Sequence, residues 1–345
     1  MTRTSLGHPQ RAWAVYGRYI TPPGFVVRIV SRAAASDRHR AEAAVDTDER
    51  AAQPERPEGP HAVRSARLAA FAIVAVMDRP SPVPQAPAAR QVLPISAWWL
   101  GRTGYRDAWD LQHRLVAARA AGLIGDQLLL LEHEPVLTLG RHSDPSHVIA
   151  GSDELAARHI ELIRVERGGE VTYHGPGQLT AYPIVKLADR GLLVRPMVRA
   201  LEAGLVAACA AAGVEAGRRD GFPGCWCGVR KIGAVGIRIE HGVSYHGIAL
   251  NVTVSLADFE LIDACGMPGV QSTSIARELG LPSEPSTESV GRAAAAFAFS
   301  FADQVGAPLL GTLPPAADAA AARANIEDLL AARSALDAAT AGGAA

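Results

Sequence analysis

Lysine is almost missing from this chain. Of 34 basic residues only Lys186 and Lys231 are not arginine. In so alanine-rich a sequence this reads as a coding bias that swaps lysine for arginine wherever charge alone suffices. A lysine that survives it marks a place where arginine fails, although two survivors are also what chance supplies. What arginine cannot do is give up its proton near neutral pH. Cysteine is scarce too, at 209, 225, 227 and 265. Four in 345 residues do not make a disulfide framework, which points to a reducing compartment, the cytoplasm. No apolar run is long: "LAAFAIVAVM" (68–77) is half of the ~20 residues that span a bilayer. Net charge is also lacking, at a formal -1, so nothing in the overall balance argues for nucleic acid or a membrane surface.

What is present divides into three parts. Residues 1–92 lack sustained periodicity and contain linker-like stretches such as "AAQPERPEGP"; they are expected to be disordered or an upstream extension of the reading frame, with Met77 as an alternative start. Five arginines and no acid in residues 1–36 keep a targeting segment as the other reading. The tail 312–345 reads as an alanine-rich helix with little to bury. Between them, 93–311 alternates helical and strand-like patterns. "YRDAWDLQHRLVAARAAG" places Trp109, Leu111, Leu115, Val116 and Ala118 near one helical face. "QLLLLEHEPVLTLG" predicts two buried strands around Glu134-Pro135, and "SDELAARHI" a short helix capped by Ser152. "RPMVRALEAGLVAACAAAG" predicts a long helix, and "GCWCGVRKIGAVGIRI" and "VSYHGIALNV" predict strands joined by a hairpin at "EHGV". The intermixing indicates one α/β (α+β) domain, a mixed sheet with flanking helices.

"RGGEVTYHGPGQL" (167–179) packs glycine, proline and histidine before a strand. It has neither the G-x-G-x-x-G spacing nor the lysine of a phosphate loop. It can bring backbone N–H groups against a ligand, with Arg167, Tyr173, His174 and Gln178 adding side chains. His174 and His246 share a "YHG" setting, which suggests a common cavity or two ordinary turn histidines. Cys265, in the loop "DACGMPG", suits a nucleophile and a plain loop cysteine equally. Lys231 opens a strand of small residues, where a solvated strand-end lysine is the simpler reading and a base for a thiol the sharper one. Cys225 and Cys227 lack matching ligands elsewhere, so two core thiols on one strand face account for them better than a metal site.

Five blocks, "EHEPVLTLGR" (132–141), "RGGEVTYHGPGQLTAYPIVKL" (167–187), "RKIGAVGIRI" (230–239), "SYHGIALNV" (244–252) and "ACGMPGVQSTSI" (264–275), occur in this order. Together they resemble the lipoyl(octanoyl) transferase family over roughly residues 93–310. The resemblance implies the fold of the biotin and lipoate protein ligases, and transfer of an octanoyl group from octanoyl-acyl carrier protein to a lysine of a lipoyl domain, the first step of endogenous protein lipoylation. By the matches of "ACGM" and "RKIG" it implies Cys265 as the nucleophile that carries a thioester and Lys231 as its base. It implies that Arg167, Gly168, Gly169, Glu170, Val171, Thr172, Tyr173 and His174, with Ala234, Val235, Gly236, Gly247, Ile248 and Ala249, line the acyl site. His246 and Gln178 would support it. No cofactor or metal is implied. The acceptors would be the lipoyl domains of 2-oxoacid dehydrogenases and the glycine-cleavage H protein, with Arg141, Arg164 and Arg167 steering these partners. Two rivals remain: an ATP-dependent lipoate ligase, which has no need of a nucleophilic cysteine, and a non-catalytic acyl- or lipoyl-domain-binding protein.

Overall fold

The computed structural model describes residues 93–263 and 270–342. The expectations for residues 1–92 and for Cys265 lie outside the described residues. In chain order the elements are β1 (Ile95–Thr103), α1 (Tyr105–Ala120), β2 (Asp126–His133), β3 (Val136–Leu139), α2 (Ser152–Ala157), β4 (Glu161–Arg164), β5 (Thr172–His174) and β6 (Gln178–Ile184). They continue with α3 (Leu187–Arg190), α4 (Val194–Ala211), β7 (Gly217–Arg219), β8 (Phe222–Cys227), β9 (Arg230–Glu240) and β10 (Val243–Asn251). The last are α5 (Ile275–Glu278), α6 (Thr287–Gln304), β11 (Leu309–Leu310) and α7 (Ala319–Gly342).

Eight strands form one mixed sheet in the order β11-β1-β2-β6-β10-β9-β8-β7; β4-β3-β5 form a small second sheet. The run "LLLL" in β2 explains how the large sheet is covered. Successive side chains of a strand point to opposite faces, so an unbroken apolar run fits a strand buried on both. Leu128 and Leu130 join a core with Leu201, Leu205, Phe297 and Phe301 of α4 and α6. Leu129 and Leu131 join a second core with Leu111 and Leu115 of α1. The expected mixed sheet with flanking helices is therefore what the chain builds. The β9–β10 hairpin turns at His241 (φ 50°) and Gly242 (φ 78°), two consecutive left-handed residues whose twist matches that of a tight hairpin.

Two expectations change. Ser152 is the first residue of α2, not its cap; Gly151 holds the cap position and no side chain bonds there. Ser274 and Ser286 do cap α5 and α6, accepting hydrogen bonds from the amides of Arg277 and Ser289. The C-terminal tail also has something to bury. Within α7, Ile326 is fully buried and joins Ala322 in the core beneath α1. Arg323 donates to the carbonyls of Leu100 (2.6 Å) and Arg102 (2.9 Å), and Arg114 of α1 forks onto Glu327 at 2.8 and 2.7 Å. The tail's overall composition hid one apolar stripe matched to a gap left by α1. Ile326→Ala is expected to destabilise the protein by about 2–4 kcal/mol, read as a lower denaturation midpoint; an unchanged midpoint would mean α7 contributes nothing to the core.

Candidate acyl-transfer site

A narrow cavity of about 70 Å³, open to solvent on one side, runs along β9 and β10 beneath the glycine-rich loop. The loop lies directly on the sheet. Gly168 N donates to Ile237 O at 3.2 Å, and a Cβ on Gly236 would stand 2.7 Å from the Gly168 carbonyl oxygen. Gly169 takes φ 87°, and its carbonyl oxygen sits where a Cβ on residue 140 would fall, 1.9 Å away. The glycines are therefore used for close approach of backbone to backbone, which walls the cavity with main chain.

Most of the expected site residues meet here. Arg167, Gly168, Gly169, Glu170, Val171, Thr172 and His174 line one side; Ala234, Val235, Gly236, Gly247, Ile248 and Ala249 line the other, with Lys231 and His246. Tyr173 does not join them. In β5 it alternates with Thr172 and His174 and so faces the opposite way, packing on Phe259 with ring centroids 5.5 Å apart. Gln178 stands behind His174, its Oε1 2.8 Å from the His174 Nδ1. Arg167 is buried rather than displayed: its guanidinium donates to Thr138 O at 2.7 Å and Thr138 Oγ1 at 2.8 Å. Only Arg141 and Arg164 of the expected steering trio are exposed.

Lys231 lies on β9 beside the chain that returns after residue 269. Its N–H donates to Gln271 O and its carbonyl accepts from Thr273 N, both at 2.9 Å. Its Nζ stands 5.5 Å from the centroid of the Trp226 ring. The other flank of the 264–269 segment is tied down as well, by Asp263 N to His147 O at 2.8 Å. The second lysine has a structural post: Lys186 directs its Nζ to the Ala120 carbonyl, 3.4 Å away at the end of α1.

Away from Lys231 the cavity becomes aromatic and polar. Pairing across the hairpin sets His246 opposite Ile237, six residues along β9 from Lys231. Tyr105 and Tyr182 line this part. Tyr182 Oη is 2.6 Å from His133 Nε2, and His133 Nδ1 is 3.0 Å from Thr103 O. A carbonyl only accepts, so Nδ1 carries the His133 proton and Nε2 accepts from the tyrosine. Burial holds His133 neutral, with its pKa down to about 4, and brings His246 to about 3. Burial, with His133 and Arg167 nearby, likewise keeps His174 well below the usual histidine range. His246 takes φ 52°, and its buried Nε2 has no hydrogen-bond partner among the described residues. Beneath it Glu166 gathers the Trp109 Nε1 (3.2 Å), the Tyr245 hydroxyl (2.9 Å) and His113 Nε2 (3.0 Å).

Sequence reasoning missed Tyr105, Tyr182 and His133. His133 carried a usable signal, a polar residue closing a fully buried strand. Cys225 and Cys227 are buried with Cys209 in the α4–α6 core, and no cluster of metal-ligating side chains occurs among the described residues. The arrangement offers a backbone-walled apolar channel, an amine at one part of it, and buried neutral imidazoles and phenols at the other.

Comparison with known proteins agrees with this chemistry. A model of the lipoyl protein ligase A/B catalytic domain matches residues 104–298, more than half of the chain. An octanoyltransferase of Chloroflexus aurantiacus is 47% identical over 189 residues, covering 54% of this chain and 85% of the relative. One from Acidobacterium capsulatum is 46% identical over 199 residues, covering 54% and 80%. The crystal structure of a lipoate-protein ligase A bound with ATP superposes at a TM-score of 0.52 over 69% of this chain and 94% of that one. At 15% identity that last likeness is one of fold.

Proposed function

The chain belongs to the lipoyl protein ligase A/B catalytic-domain family, and from that premise we propose that it is an acyltransferase that moves an octanoyl group from octanoyl-acyl carrier protein, through a Cys265 thioester, to a lysine of a lipoyl domain. Residues 93–311 form the catalytic domain in this reading, with α7 as an addition to it, and the cytoplasm suits its free thiols. The observation that carries it is the place of Lys231: the amine lines the backbone-walled channel, and its main chain is bonded to residues 271 and 273, just after the Cys265 segment.

The protons balance through one group. Lys231 takes the Cys265 proton, and the thiolate attacks the carrier's thioester carbonyl. The tetrahedral intermediate expels the carrier thiolate, which takes the proton back from Lys231, leaving the octanoyl group on Cys265. The acceptor lysine amine then attacks this thioester and passes its proton to Lys231, and Cys265 leaves as a thiolate with an amide formed. The channel's apolar wall, Ala234, Val235, Ile248 and Ala249, binds the chain at about 0.8 kcal/mol per buried methylene. Amides of the glycine loop other than Gly168 N, which is bonded to Ile237 O, would donate to the developing oxyanion in this reading, a contribution of about 3 kcal/mol per donor. Arg141 and Arg164 are left on the surface to meet the carrier and the lipoyl domains of 2-oxoacid dehydrogenases and the H protein.

The test is transfer without nucleotide. Mixed with octanoyl-acyl carrier protein and an unmodified lipoyl domain in the absence of ATP, the protein is expected to add one octanoyl group to the domain's lysine. Modification seen only with free octanoate or lipoate plus ATP would make it a ligase instead, and none under either condition a binding protein.

A further inference from the structure

A backbone carbonyl behind the channel dictates the tautomer of a histidine inside it. Thr273 O can only accept, so the Asn251 group 2.9 Å from it is the amide nitrogen. Asn251 Oδ1 therefore accepts, and its partner at 3.0 Å is Gln178 Nε2. The same nitrogen donates to Tyr173 O at 3.0 Å, a second carbonyl that fixes the Gln178 amide independently. Gln178 Oε1 is then an acceptor, and His174 Nδ1, 2.8 Å away, must carry the proton. Gln178, Asn251 and Thr273 are all buried, and Gln178 and Asn251 face each other as a cross-strand pair of β6 and β10. No protein hydrogen bond engages Nε2 of His174 among the described residues, and the ring lines the channel.

We propose that Gln178 and Asn251 are positioning residues that hold His174 as a neutral Nδ1–H imidazole, so that its Nε2 lone pair accepts a hydrogen bond from the amine of the lysine that receives the acyl group. The proposal rests on the acyl-transfer reading. Once the octanoyl group rests on Cys265 its thioester offers only a carbonyl acceptor and C–H groups, so the lone pair of a ring lining the channel has nothing to match in it. The amine that arrives in the second half-reaction brings N–H donors. Apart from the Gln178 hydrogen bond, the surroundings of the ring oppose its protonation: burial and Arg167 disfavour the cation, His133 packs edge-on at 5.7 Å, Tyr105 stacks at 6.0 Å, and His246 completes them. The buried carboxylate of Glu132 accepts from the Gly177 amide at 2.7 Å through Oε2, and its Oε1 has no partner among the described residues. The Thr273 end of the relay also bonds Lys231, so the chain of contacts joins the loop histidine to the strand that carries the amine.

Two readouts test this on the intact protein. The 15N signature of His174 in histidine-labelled protein, taken without substrate, should be that of a neutral Nδ1–H ring, and Gln178→Leu should convert it to a mixture or to the Nε2–H form. In separate half-reactions Gln178→Leu should slow transfer from the octanoyl-enzyme to the lipoyl domain about ten-fold more than it slows acylation, the scale of one hydrogen bond. Asn251→Leu should move both readouts the same way, less strongly, because Tyr173 O still holds the glutamine. Gln178→Glu guards against mere loss of packing: the carboxylate keeps the Nδ1–H contact but stabilises imidazolium. Its transfer step should fall more steeply than the wild type's as pH drops from about 8 to about 5, because a raised His174 pKa puts a proton on Nε2 in addition to the titration of the acceptor amine that both proteins share. An Nε2–H ring in the wild type, equal loss in both half-reactions, or a pH profile unchanged in Gln178→Glu would overturn the relay. Absence of any octanoyl-enzyme would instead remove the acyl-transfer reading, and the tautomer would still decide whether the relay exists.

Discussion

Cys265→Ala leaves no octanoyl-enzyme and lowers turnover by at least about 10⁴-fold, the scale seen when a covalent nucleophile is removed. An alanine offers no electron pair to the carrier's thioester. The residual route is direct attack by the acceptor lysine, which is slow because most of that amine is protonated near neutral pH. Folding should be unaffected, so a circular dichroism spectrum and denaturation midpoint like those of the wild type must accompany the loss. Retention of a tenth of wild-type transfer would show that the acyl group never needs to rest on this side chain.

Lys231→Arg should slow formation of the octanoyl-enzyme by about 10²-fold or more, because general-base assistance contributes on that scale and guanidinium cannot provide it. The substitution supplies a permanent positive charge, and Lys231 is anchored through main-chain bonds to Gln271 and Thr273 that it does not touch. The pH dependence separates a base from a fixed charge. A cysteine left to ionise on its own does so around pH 8.5. The deficit of Lys231→Arg should therefore narrow above about pH 9, where thiolate forms without help. A variant as fast as wild type near neutral pH would reduce Lys231 to an electrostatic role.

The two lysines that survive the bias in the sequence have different surroundings. Lys231 stands in the channel, whereas Lys186 serves the end of α1. Patterns with a strong local period were legible: α1, α4 and the β9–β10 hairpin follow from apolar spacing and the "EHGV" turn. What escaped depends on contacts between distant segments. β1 drew no notice because its nine residues mix tryptophan, glycine and arginine. The packing of Ile326 depends on the groove beside α1, which no feature of the tail reveals. Within the site, the glycine loop was legible because its composition has few other uses, but β5 inside it was not. That short strand decides that Thr172 and His174 face the channel and Tyr173 does not. Arg167 looked like surface charge in sequence and is buried against Thr138. Tyr105, Tyr182 and His133 come from three separate elements, and only the folded sheet brings them together.

The intact mass of the wild-type protein after brief exposure to octanoyl-acyl carrier protein tests the central claim most directly. The account predicts a gain of one octanoyl group, removed by hydroxylamine as a thioester is, mapped by proteolysis to the peptide containing Cys265, and discharged when a lipoyl domain is added. An unmodified mass, with donor integrity and folding verified, would contradict it.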